Sequence, residues 1–296
     1  MKTNDIFNFG RFGKYLVSDL KTCAANYGLS LLTLTVITPL AVECFAGLFS
    51  LLSGTSWNGT GLGFRACIFA IAMFCIMVTM PSKCYGRLTK KQYGSLWLML
   101  PSSRLEKFIS MLLICCIITP VISICMYMGM DALICAIDNT CGENMIAGAF
   151  KLIDGFASFK MTLGEVDMEI AQENIRSIEN GHKFIDTITN PWLYVDEVLC
   201  MSLPFLLGAI CFKKGKIVKT FLAMTALSIA ISMLGTPLMM TYMGDLMAAA
   251  NEEEAMTMLF ESGFYNRLIW VDIVGDFILF GGIIAAIWFR IKTLKH

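Results

Sequence analysis

The sequence predicts an all-α integral membrane protein with six transmembrane helices, both termini in the cytoplasm, and a helical outer loop between the third and fourth spans. Three observations predict it. Hydrophobic residues make up 56% of the 296-residue chain, charged residues 16%, and the mean hydropathy is +0.67; a soluble domain carries about a quarter charged residues. Six apolar stretches reach the roughly 20 residues that a helix rising 1.5 Å per residue needs to cross ~30 Å of hydrocarbon. Between those stretches basic residues are alternately abundant and scarce, which sets an orientation.

In chain order, residues 1–27 mix Phe7, Phe9, Phe12, Tyr15 and Leu16 with Arg11, Lys14 and Lys21. That pattern reads as an amphipathic helix lying in the inner headgroup region, either a nonspecific anchor or a docking element. The apolar run behind it is too long for a cleavable signal peptide, so the first span is expected to stay in the protein. Residues 28–130 hold the first three spans. The first covers about 28–52, softened by Pro39 and carrying Glu43; the second covers about 63–80 and stops at Pro81. The third starts after Ser103 and runs to about Met130, with Pro120 inside it. Ser103-Arg104-Leu105-Glu106 fits a capping box, in which serine and glutamate satisfy free N–H groups of the first turn. Residues 191–296 hold the other three spans, at about 191–212, 218–241 and 268–288. Asn190-Pro191 opens the fourth with an N-cap residue before a proline at the first helical position.

Lys and Arg set the direction. The N-terminal segment, residues 83–107, the 213–219 turn and the C-terminal tail carry 17 of the 23 basic residues; the opposite side carries Arg65, Lys151, Lys160, Arg176, Lys183 and Arg267. Both termini are therefore expected in the cytoplasm of a cell whose plasma (inner) membrane the chain crosses. The outer side is acidic: residues 131–190 hold ten Asp or Glu against four Lys or Arg. Within that loop 144–159 and 165–188 read as modestly amphipathic helices. A second outer segment, about 242–267, carries Glu252, Glu253 and Glu254, a solvated acidic face, beside an apolar stretch able to dip into the outer leaflet. Ser228 and Ser232, Gly281 and Ala285, and Gly282 and Ala286 recur four apart and permit close helix approach, within the chain or at a dimer seam. No internal repeat stands out.

Several function classes are disfavoured. Net charge is zero with no basic domain, which argues against nucleic acid as a partner. No GxxxxGKS or GxxxxGKT occurs, so no P-loop ATPase is expected on this chain. His182 and His296 are the two histidines, and no nucleophile–base pair stands out, so no metal, cofactor or catalytic set is expected. Most of the 12 cysteines sit in apolar runs as small hydrophobes, and no CxxC pair occurs. Cys135 and Cys141 fall on the outer side at a spacing that permits a disulfide without fixing its geometry. The costly residues are intramembrane acids. Glu43 and Asp276 each lie roughly 12–14 Å below the outer ends of their spans, and Asp272 sits one turn above Asp276. Two readings stand: Glu43, Asp272 and Asp276 form a polar patch lining a substrate path, or they are protonated and hydrogen-bonded between helices, with Asp272 snorkelling.

The most informative segment is cytoplasmic. Residues 81–103 combine basic side chains with the apolar stretch Leu96-Trp97-Leu98-Met99-Leu100 before Pro101. A short apolar helix over about 89–100, with no span of its own, has to bury its face in the inner leaflet or against a partner. Leu100-Pro101-Ser102-Ser103-Arg104-Leu105-Glu106-Lys107-Phe108 resembles the LPxSxxEKF stretch of the permease subunits of type 2 ABC exporters, small bacterial forms especially. Arg11-Phe12-Gly13-Lys14-Tyr15 followed by Asp19-Leu20-Lys21 is similar to their amphipathic entry segment, and Phe289-Arg290-Ile291-Lys292 to their basic ending. The resemblance implies the membrane subunit of an ATP-driven exporter. It would pair as a homodimer or with a second permease, and move an unidentified substrate outward with a separate ABC ATPase subunit. It implies a coupling surface at Tyr93, Trp97, Leu100, Pro101, Arg104 and Glu106, and outer re-entrant helices at 242–267. The acidic outer loop exceeds that of the shortest members and leaves the substrate open. The alternative is a non-transporting membrane scaffold or sensor that binds a partner through that loop. The two differ at 97–104, where substitution should disturb an ATPase-coupled subunit only.

Overall fold

The computed structural model describes residues 7–57, 59–89, 91–151, 191–247 and 264–293, and every regular element among them is helical. The chain divides into two compact units, residues 1–150, 198–220 and 282–296 forming the first and residues 151–197 and 221–281 the second.

Three long helical runs build the first unit. The opening run passes from α1 (Phe9–Leu32) through a π-turn (Thr33–Ile37) into α2 (Thr38–Leu52). The second run is α3 (Leu62–Cys84), followed by a 3-10 turn (Gly86–Thr89) and α4 (Lys91–Met99). The third passes from α5 (Arg104–Leu113) through a π-turn (Ile114–Ile118) into α6 (Thr119–Ile137). α1 packs on α3 and α5, the first π-turn and α2 on α6, and α3 on α6. A short helix α7 (145–151) follows, then α8 (Pro191–Cys211), α9 (Lys216–Met247) and α10 (Phe264–Thr293). The described part of the second unit, residues 191–197, 221–247 and 264–281, is helical throughout.

Among the described residues, five helical stretches are long and apolar enough to cross a membrane: Phe9–Leu52, Leu62–Cys84, Arg104–Ile137, Lys216–Met233 and Val274–Thr293. The remaining expected span is helical over Pro191–Cys211, and Met201–Cys211 is its described apolar part. This architecture is consistent with a multi-pass membrane protein. Asn190, His182, His296, Glu252–Glu254, the expected helix at 165–188 and most of both outer segments lie outside the described residues.

Three boundaries differ from the sequence reading. The entry segment is not set off from the first span by any break in the helix. It runs straight into the first span over 44 residues, because Gly28 costs a helix only about 1 kcal/mol while one face of α1 is fastened to its neighbours. Tyr15, Cys23 and Tyr27 are buried there, and Asp19 accepts hydrogen bonds from Tyr85 Oη (3.0 Å) and Ser110 Oγ (2.7 Å). α3 continues one turn past Pro81 to Cys84. The third run continues past Met130 to Ile137, so Asp131 belongs to a helix rather than to the outer loop.

A local repeat also emerges. Ile37-Thr38-Pro39 and Ile118-Thr119-Pro120 each straddle the end of a π-turn. In both, the threonine N–H bonds the carbonyl five residues back, and its hydroxyl bonds the same oxygen, at 3.0 Å for Thr38 and 2.8 Å for Thr119. Proline has no N–H and its ring crowds the carbonyl four residues back. One extra residue in the turn opens that space, and the threonine satisfies the displaced carbonyl.

Candidate functional site

The segment expected to couple to a partner is set by three fastenings. The capping box at α5 is present: Ser103 Oγ accepts from Glu106 N (3.1 Å), and Glu106 Oε2 from Ser103 N (2.9 Å). Glu106 reaches further, however. It also accepts from Asn8 N (3.0 Å) and from Arg11 Nε and Nη2, at 2.8–3.0 Å. Asn8 is itself the N-cap of α1. One buried carboxylate therefore receives the backbone N–H of two N-cap residues, where helix dipoles favour negative charge. Next, Trp97 is buried and its Nε1 donates to Tyr15 Oη at 3.0 Å. Lastly, Lys107 is buried, its Nζ donating to the carbonyls of Trp97 (2.7 Å) and Leu100 (3.2 Å) and lying 4.9 Å from the Trp97 ring centre. Its ammonium satisfies carbonyls that the end of α4 leaves open.

These fastenings sort the expected coupling residues into two groups. Trp97 and Glu106 face inward and hold the segment in place, so neither is surface: the carboxylate is saturated with donors and the indole is covered. Tyr93, Leu100, Pro101 and Arg104 are exposed. Arg104 Nη1 donates to the Lys292 carbonyl (2.7 Å), and Phe108 meets Trp288 at 5.3 Å between ring centres, so the basic end of α10 packs beside the start of α5. Leu96 and Met99, 63% and 79% exposed, extend the outward apolar strip. Tyr93, Leu96 and Leu100 follow the three-and-four spacing of one helix face. Leu96 and Met99 belong to the apolar stretch that the sequence singled out; only their outward direction was missing.

At the other end of the first unit the loop after α2 and the turn after α6 are sewn together. Trp57 Nε1 donates to Asp138 Oδ2 (2.5 Å), and Gly59 N to Thr140 Oγ1 (2.8 Å). Beneath them Glu43 is buried, accepting from Thr60 N (2.7 Å), from the Thr60 hydroxyl and from the Cys141 thiol (3.1 Å). Gly59 is required here: a Cβ would stand 2.6 Å from both Cys141 Sγ and Glu43 Oε1. Burial, then the bond to Glu43 and its charge, pushes the Cys141 thiol up to about 12. Hydrogen bonds from Thr140 and Trp57 hold Asp138 below the ordinary carboxylate range. Glu43, Asp138 and Cys141 bring ligand atoms within 4.8 Å of one another. Each of the four carboxylate oxygens already accepts from Thr60, Cys141, Thr140 or Trp57, so a cation would have to displace those donors.

Sequence reasoning missed the partner of this cluster. Arg65, at the start of α3, forms a buried ion pair with Asp131 (3.3 Å) and donates to Cys135 Sγ (2.9 Å) and to the Glu143 carbonyl. Asp131 also accepts from Met145 N (2.7 Å), which draws α7 toward a cluster of Ala72, Tyr127 and Met145. The available signal was opposite charge at adjoining ends of two neighbouring helices. Cys135 and Cys141 are both free thiols, the first held by Arg65 and the second by Glu43.

Of the expected polar patch, Glu43 lies in the first unit, hydrogen-bonded to Thr60 and Cys141. Asp276 is half-buried and belongs to the second unit, and the Asp272 side chain lies outside the described residues. Comparison with protein-family models, with curated proteins and with solved structures returned no match.

Proposed function

We propose that this chain is the membrane-spanning permease subunit of an ATP-driven ABC exporter, with six spans and both termini in the cytoplasm, and that a separate ATPase docks on α4. One observation carries the reading. α4 is a nine-residue helix whose back is locked by Trp97 and Lys107 while Tyr93, Leu96, Met99 and Leu100 stand outward. A rigidly held apolar strip beside basic residues is suited to receive a protein partner and to pass force to what lies behind it. Behind it are α1, through Tyr15, and α5, through Lys107. A push on α4 would therefore be felt by two long helical runs at once, and each carries a π-turn with a proline just after it further along. The skew of basic residues toward the ends that include α4 supports the orientation.

The test co-expresses the chain with a P-loop ATPase encoded beside it and measures co-purification and ATP hydrolysis in membranes. Leu96→Asp, on the exposed strip, and Arg104→Glu should each lower membrane-stimulated hydrolysis at least tenfold while the chain remains folded. If Leu96→Asp leaves both measurements unchanged, the docking reading fails, and a scaffold that binds through its acidic outer loop takes its place.

A further inference from the structure

We propose that a basic cavity between the end of α3 and the start of α9 binds a phosphate-bearing anion. The cavity measures about 450 Å³ and is lined by Lys83, Arg87, Lys213 and Lys216, with Asn26 and Ser82 among its polar walls. Among the described residues no carboxylate lines it. That volume holds a phosphate group and part of its carrier.

Two of the four cations have structural duties. Lys216 Nζ donates to the carbonyls of Gly86 and Ala209 and to Thr89 Oγ1, and so braces the cavity wall. Lys83 sits in the last turn of α3, where a cation balances the helix's negative end. It donates to Ser30 Oγ (2.8 Å) and lies 5.6 Å from the Tyr27 ring centre. Arg87 and Lys213 have no such explanation. Both are exposed, and Arg87 stacks over the Tyr93 ring at 5.7 Å, which engages its face rather than its N–H edge. Four converging cations repel one another, and an entering anion relieves that repulsion. α9 begins at Lys216, so the positive end of that helix lies at the same wall.

The chemistry recognised is a phosphate, from either of two sources. The cavity opens where the apolar helix α3 ends, the level at which headgroup phosphates of a bilayer lie, and basic pockets beside membrane helices take anionic headgroups. A soluble phosphate compound satisfies the same cations. Neither source depends on the exporter reading.

The experiment uses the full chain purified in a neutral detergent and two probes, short-chain phosphatidylglycerol and inorganic pyrophosphate. Bound probe is counted by native mass spectrometry across a titration. One probe should bind at a single site. Arg87→Gln/Lys213→Gln should weaken it about thirtyfold, roughly fivefold per cation. The control Lys14→Gln/Lys21→Gln removes equal charge from exposed positions outside the cavity and should change affinity less than twofold. Lipid binding that pyrophosphate does not displace identifies a headgroup; displacement identifies a soluble phosphate. If the double variant loses its fold, Lys213→Gln alone should show the fivefold loss. Binding of neither probe, or equal weakening by both double variants, overturns the proposal.

Discussion

Replacing Glu106 by glutamine keeps the side chain's volume and removes its charge, so the melting of that variant reads the electrostatics of the junction without opening a cavity. The carboxylate is fully buried and accepts five hydrogen bonds, three from Arg11 and one each from the Asn8 and Ser103 N–H groups. Glutamine offers one oxygen and one NH2 group, so at least one of these donors must face another donor. Breaking a buried ion pair costs about 3–5 kcal/mol. Arg11 is 34% exposed and keeps water on its outer edge, which places the cost at the lower end, about 3 kcal/mol. For a chain of this size each kcal/mol lowers Tm by about 2–4 °C, so Glu106→Gln should melt roughly 6–12 °C early. Arg11→Gln, which leaves the carboxylate its two backbone donors, should cost about 2 kcal/mol. The double variant should fall about 1–2 kcal/mol short of the sum of the two, because both remove one interaction. Tryptophan fluorescence during heating of the full chain in detergent measures all three. A surface pair would be worth about 0–1 kcal/mol and would fade with salt. A Glu106→Gln Tm within 2 °C of wild type, or additive single variants, would refute the claim that this residue pins two helix starts.

Three further outcomes follow from the same geometry. Asp131→Asn leaves Arg65 buried without its counter-charge and should cost about 3 kcal/mol, while Arg65→Met/Asp131→Leu should be less damaging than either single change, as the same melts would show. Gly208→Ala sets a Cβ into the side chain of Thr220, which is buried and β-branched; it should cost about 1–3 kcal/mol and be largely rescued by Thr220→Ala. Cys141 should resist maleimide at pH 8, where a thiol pushed up to about 12 stays protonated. Glu43→Gln removes the repelling charge and leaves one weaker acceptor oxygen, and should speed its labelling at least tenfold, read by peptide mass spectrometry; unchanged labelling would sink the assignment.

The α5 capping box was legible because it is written in four consecutive residues, and the structure contains it unchanged. The short apolar helix before Pro101 was legible for the same reason, since its composition and its following proline are local. Trp97 and Glu106 were misread as surface because their burial depends on Tyr15, Asn8 and Arg11, about 80–100 residues away, and no local pattern encodes which face of a helix a distant segment covers. The two Ile-Thr-Pro units escaped notice because each is three residues long. Their equivalence lies in a hydrogen-bond shift from four residues to five, which is a property of backbone geometry rather than of spelling.

Apolar length and charge skew determined, from sequence alone, that the chain is helical and built for a bilayer, because the cost of burying backbone and charge in hydrocarbon is paid residue by residue along the chain. Only tertiary structure decided that the entry segment is the N-terminal part of the first long helical run, held by Asp19, Tyr27 and Arg11 against partners at α3 and α5. Only tertiary structure joined Glu43 to Thr60 and Cys141, and Arg65 to Asp131. Those pairings are choices among many polar groups of similar kind, and the choice is made by packing, which brings one pair together at hydrogen-bonding distance and leaves the others apart.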